Sequence, residues 1–103
     1  MLRKSVRVGG NVYEIQGAEP PLVLDKLVCR GTVDHEACEI KYDNSRALCR
    51  IKETLWHEAL HAMLRQRRVS GVENEEDVVS ELAAALNALM VDNGVEFWEV
   101  GEA

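Results

Sequence analysis

His57-Glu58-Ala59-Leu60-His61 is the stretch from which the rest of this chain is read. It sets two imidazoles four residues apart, with a carboxylate next to the first. At about 3.6 residues per turn, positions i and i+4 stack on one face of a helix, so both rings can ligate a single ion. This is the HExxH arrangement of zinc peptidases. Glu58 lies about 100° around the helix from His57 and still overlooks the same face, where a carboxylate can serve as base for a zinc-activated water.

The flanking residues argue for the helix that this reading needs. Residues 45–68 contain neither Gly nor Pro, and Leu48, Ile51, Leu55, Ala59, Ala62 and Met63 recur at three- and four-residue spacing. A helical wheel gathers Thr54, His57, Glu58 and His61 on the side away from most of that stripe. The motif is thus expected to face out of the helix's core. The ordinary alternative is a polar surface carrying two solvated histidines, since a pattern with three fixed positions recurs in unrelated proteins.

At 103 residues the chain has room for one modest hydrophobic core, and residues 1–103 read as a single domain. A composition of 47% hydrophobic and 29% charged residues is that of a soluble globular protein. No apolar run approaches the roughly 18 residues of a membrane span. The start, Met1-Leu2-Arg3-Lys4, is charged, but no apolar block of signal-peptide length follows, so the expectation is a cytoplasmic protein with no membrane partner. Cys29, Cys38 and Cys49 are odd in number and lack C-x-x-C spacing, which implies reduced, mostly buried thiols instead of disulfides or a cysteine zinc site. A net charge of −6 argues against a nucleic-acid partner, which would need cations to neutralise phosphates. Arg65, Arg67 and Arg68 read as cations placed favourably at a helix C-terminus.

Along the chain, residues 3–16 alternate around Gly9-Gly10 and predict a β-hairpin, with Val6 and Val8 before the turn and Val12 and Ile15 after it. Pro20-Pro21 marks a break, and residues 22–33 are apolar and β-branched enough for a strand, although the first half also fits a helical turn. Cys38, Ile40 and Tyr42 alternate with Glu39, Lys41 and Asp43, predicting a half-buried strand that runs into an Asp43-Asn44-Ser45 turn and helix cap. Gly71 is the expected cap of the first helix and Asn74 that of the second, whose stripe is Val79, Leu82, Ala83, Leu86, Leu89 and Met90. Asp92-Asn93-Gly94 ends it, and residues 95–100 carry Phe97 and Trp98 as a short strand or hydrophobic clasp. Trp56 and Trp98 read as core or interface aromatics.

Catalytic zinc usually has three protein ligands and one open position. No histidine follows His61, so a carboxylate of the second helix must complete the set. Glu73, Glu75, Glu76, Asp77 and Glu81 are candidates, although acidic residues also favour a helix N-terminus for reasons of dipole alone. Projection from the helix retains Glu75 and Glu76 and demotes Glu81.

The stretch Thr54-Leu55-Trp56-His57-Glu58-Ala59-Leu60-His61-Ala62, followed by Glu76-x-x-Val79-x-x-Leu82-Ala83, resembles the small ImmA/IrrE-type zinc metallopeptidases of phages and integrative elements. Gly31-Thr32-Val33-Asp34 and Ile40-Lys41-Tyr42-Asp43 are similar to the strand pair that precedes their HExxH helix, so the likeness covers most of residues 28–93. The resemblance implies an α+β, zincin-like fold: a small, twisted, mostly antiparallel sheet packed on the HExxH helix, with a second helix completing the site. It also implies Glu76 as third ligand, with Glu75 as its rival.

The activity implied is gluzincin peptide hydrolysis. Zn2+ held by His57, His61 and Glu76 activates a water, and Glu58 acts as general base and then passes the proton to the leaving amine. A peptide or protein substrate follows, with a phage or mobile-element regulator as one possibility; the alternative is a zinc-binding interaction module without catalysis. The strand over residues 38–43 is the expected edge for an extended substrate. Tyr42, His35, Tyr13 and Arg65 are the candidates for stabilising the oxyanion, and Thr54 for orienting a ligand.

Overall fold

A computed structural model of the chain describes residues 3–98. The elements run β1 (Ser5–Val8), β2 (Asn11–Ala18), β3 (Leu22–Leu24), β4 (Leu27–Cys29), β5 (Gly31–Asp34), β6 (Glu39–Asp43), α1 (Leu48–Gln66) and α2 (Glu75–Asp92). Four strands form one sheet in the order β1-β2-β6-β5, and β3 pairs only with β4. The fold is α+β, as expected, but the sheet is mixed. β2 and β6 run parallel, with Ile15 opposite Ile40, whereas β1–β2 and β5–β6 are antiparallel.

The parallel pairing follows from where the chain goes between the two strands. It leaves β2, makes an excursion through β3, β4 and β5, and turns tightly back so that β6 slots between β2 and β5. Asp34 shapes that return, its Oδ1 accepting from the backbone N–H groups of Glu36 and Ala37 at 3.0 Å each. Such Asx hydrogen bonds substitute for backbone pairing in a tight turn.

The β1–β2 hairpin appears where the sequence predicts it, with Gly9 and Gly10 at φ of 57° and 91° in its two-residue turn. The region 22–33 is not one strand but three short ones. Asp25 and Lys26 both adopt positive φ (51° and 66°) to close the β3–β4 hairpin, a conformation that a lysine does not advertise. Strand 39–43 is interior to the sheet, so the substrate edge expected there is lost; the outer edge belongs to β5.

The core lies between one sheet face and α1. Val6, Val8, Tyr13, Ile15 and Ile40 meet Ile51, Leu55, Trp56, Ala59 and Ala62, with Ala83 of α2 and Trp98 closing the ends. Two corrections apply to the predicted helix stripes: Leu48 and Met63 of α1, and Leu82 and Leu89 of α2, are exposed. Trp56 takes the place of the missing apolar contacts on α1, meeting Phe97 at a tilt and Trp98 edge to face, each at a ring-centroid distance of 5.0 Å. The backbone carbonyls of Phe97 and Trp98 accept from Arg3, so this part of the tail is a clasp and not a strand; residues 99 and 100 of the predicted segment lie outside the described residues.

Helix ends also depart from expectation. α1 starts at Leu48, not at Ser45, because Asp43 holds the preceding turn instead of capping the helix. Its Oδ1 accepts from the Ser45 amide and hydroxyl at 2.9 and 2.6 Å, and its Oδ2 faces the Arg46 guanidinium. These hydrogen bonds hold the buried Asp43 carboxyl below its ordinary value. α1 terminates in a Schellman pair, Val69 N–H to Leu64 O and Arg68 N–H to Arg65 O, with Arg68 itself at φ 56° in the place predicted for Gly71. α2 ends in the same pattern on Gly94. Asn74 precedes α2 as predicted but is left-handed and makes no capping side-chain hydrogen bond. The thiols are not buried: Cys49 is exposed and Cys29 and Cys38 are intermediate, all three free. Among the described residues, no helix is long and apolar enough to cross a membrane.

Candidate metal centre

α1 and α2 form an antiparallel hairpin whose facing sides bring the motif histidines against the start of α2. His57 Nε2 lies 2.8 Å from Glu76 Oε1, and His61 Nε2 lies 2.9 Å from Glu76 Oε2. The two Nε2 atoms are 3.1 Å apart, and one donor atom from each of His57, His61 and Glu76 falls within 4.8 Å of the others. Two nitrogens each about 2.05 Å from a tetrahedral zinc would be separated by about 3.3 Å, so this spacing suits a shared ion.

The far nitrogens are engaged as well. Glu75 Oε2 sits 2.9 Å from His61 Nδ1, and Ser80 Oγ sits 3.3 Å from His57 Nδ1. A carboxylate can only accept, so Glu75 draws the imidazole proton of neutral His61 to Nδ1 and turns the Nε2 lone pair inward. That lone pair then faces a carboxylate oxygen and a second imidazole nitrogen, and either a shared cation or a proton on His57 Nε2 satisfies the group. Outer carboxylates and hydroxyls on ligating histidines are the usual support of a metal site. The donor set therefore fits zinc, with Glu76 at the point of convergence and Glu75, its rival from the sequence, one step behind.

The histidines lie outside the core cluster, as the wheel implied, but are half-buried because α2 covers that face of α1. Burial foremost lowers the His57 pKa, with the Glu76 charge opposing it. Glu58 is buried, 5% exposed, and its carboxyl is pushed up to about 7, chiefly by burial. It has moved from the predicted outward face to the floor of a cleft of about 520 Å³, shared with His57, Glu76, Thr54 and Ser80.

Close approach of β5 to α1 builds that floor. A Cβ at Gly31 would collide with the Thr54 methyl, lie 3.1 Å from the Lys41 carbonyl oxygen and touch Glu58 Cγ at 3.4 Å. Gly31→Ala is therefore expected to destabilise the fold by about 1–3 kcal/mol through overpacking, read as a lowered urea midpoint. Adding Thr54→Ser, which removes the methyl, should restore most of that loss; no restoration would place the clash at Lys41 instead.

Of the predicted oxyanion candidates, Tyr13 is buried in the core and Tyr42 packs against it. His35 and Arg65 line a neighbouring cleft with β3, and His35 has its pKa lowered, mainly by burial. Sequence reasoning missed three features of the site. Ser80 is invisible because a helical serine has no motif value, whereas Arg30 and the β3–β4 hairpin reach the cleft only through the excursion of the chain. No family model matches this chain, and neither any curated protein nor any solved structure does so.

Proposed function

We propose that this chain is a zinc-dependent metallopeptidase, zincin-like in fold and similar to the ImmA/IrrE group. The observation that carries the reading is the convergence of His57 Nε2, His61 Nε2 and the Glu76 carboxylate beside a buried glutamate in an open cleft. Bound zinc supplies the Lewis acidity that polarises a peptide carbonyl and acidifies water. Glu58 would take the proton of the attacking water and deliver it to the departing amine, a role that its place in the cleft beside His57 and Glu76 allows. Glu75 holds the His61 ring through Nδ1, and Ser80 stands at the same position of His57. A peptide or protein is the substrate, and a cytoplasmic location accords with the reading.

Elemental analysis of zinc-reconstituted protein tests the centre. About one zinc per chain is expected, lost in His57→Ala and in Glu76→Ala. Glu75→Ala should retain zinc with an affinity lowered about 10–100-fold, as befits a supporting group. A parent protein that takes up no zinc overturns the proposal.

A further inference from the structure

The β3–β4 hairpin is not used by the core. It pairs only with itself, and Val23, Leu24, Leu27 and Val28 are 52, 51, 68 and 70% exposed. Two-stranded ribbons are marginal in water, and large apolar side chains gathered on one mark a contact surface. Three of these, Leu24, Leu27 and Val28, line the same cleft as His57, Glu58 and Glu76. The cleft therefore has a polar floor and an apolar rim, the usual build of a site that orients a substrate with a few polar groups and selects it by apolar contact. Its size, about 520 Å³, admits a peptide segment with a large side chain. β4 passes through Arg30 alone into β5, whose Gly31 touches the floor, so the rim is tied in sequence to the centre.

We infer that the β3–β4 hairpin is the specificity wall of this cleft, selecting peptides with a bulky apolar residue beside the scissile bond. The inference rests on the peptidase reading and narrows it. Of the cleft's carboxylates, Glu58 and Glu76 belong to the centre, which among the described residues leaves Glu53 and Arg30 as the other charged side chains along its lining, of opposite sign. Their opposed charges favour neither an acidic nor a basic substrate side chain, and the rim chemistry that remains is apolar.

The test uses zinc-loaded protein and a library of blocked octapeptides varied at one central residue, with cleavage read by mass spectrometry. Parent protein, Leu27→Ser/Val28→Ser and Glu58→Gln are compared. Parent protein should cut leucine, isoleucine, phenylalanine or methionine peptides at least about tenfold more efficiently than aspartate or lysine ones. In the hairpin variant that ratio should fall toward unity with zinc content retained; both positions are exposed, so folding is not at issue. Cleavage without apolar preference, or a preference indifferent to the variant, overturns the wall and leaves the peptidase standing. A zinc-loaded parent that cuts nothing overturns the peptidase. In the same samples the dissociation constants of blocked leucine and aspartate hydroxamates decide the wall independently of turnover. Leucine binding about tenfold tighter, and lost in the variant, supports it, whereas equal binding overturns it.

Discussion

Glu58→Gln is expected to keep one zinc per chain and to lower peptide cleavage by about 10²–10⁴-fold. Gln conserves the shape of the buried side chain but can neither accept the water's proton nor return it to the leaving amine. Glu58 is absent from the converging donors, which are His57, His61 and Glu76, so the metal has no reason to leave. Zinc analysis, circular dichroism and a turnover assay on one preparation separate the cases. Turnover equal to that of the parent would remove Glu58 from the mechanism. Loss of zinc together with turnover would instead make it part of the binding site. The comparison also distinguishes an enzyme from a zinc-bound interaction module, which has no use for a base.

The same carboxyl governs the stability of the chelated protein. Its pKa rises from 4.5 to about 7 on folding because burial, aided by the Glu76 charge, disfavours the ionised form. Between those values the native state holds a proton that the unfolded chain has released, so stability falls as pH rises through the window. At about 1.4 kcal/mol per pH unit the whole effect is about 3 kcal/mol. His35 and His57, lowered from 6.5 mainly by burial, act on the other side: the unfolded chain takes up protons that the native state refuses, and stability falls as pH drops below that value. Comparing the parent with Glu58→Gln in a chelator cancels His35 and His57, to whose shifts Glu58 does not contribute. The stability of the parent relative to the variant should decline by about 2.5 kcal/mol from pH 5 to pH 8, measured by urea denaturation. A difference that stays flat across that range would mean that Glu58 is not desolvated in the metal-free fold.

What was legible in the sequence was local. The glycine turn of β1–β2, the Asp92-Asn93-Gly94 stop and the long helix carrying the motif all follow from residue types acting on their own backbone. Other local readings failed where a side chain took a less common part. Lys26 and Arg68 occupy left-handed conformations that the eye reserves for glycine, and the Asp43-Asn44-Ser45 turn forms as expected but does not cap the helix, which starts at Leu48.

The HExxH spacing by itself determined that His57 and His61 share a helix face and that Glu58 stands close by, because about 3.6 residues per turn leaves no other arrangement. Only the tertiary structure decided which acidic residue meets them. Glu75 and Glu76 differ by about 100° around α2, and the docking of α2 across α1 sends one carboxylate to the inner nitrogens and the other to the outer. Tertiary structure likewise placed β6 inside the sheet with β5 as the edge strand beside it, buried Glu58, and brought the β3–β4 hairpin to the cleft. Periodicity records which way a side chain leaves its own element; what it meets depends on how that element packs against segments far away in the chain.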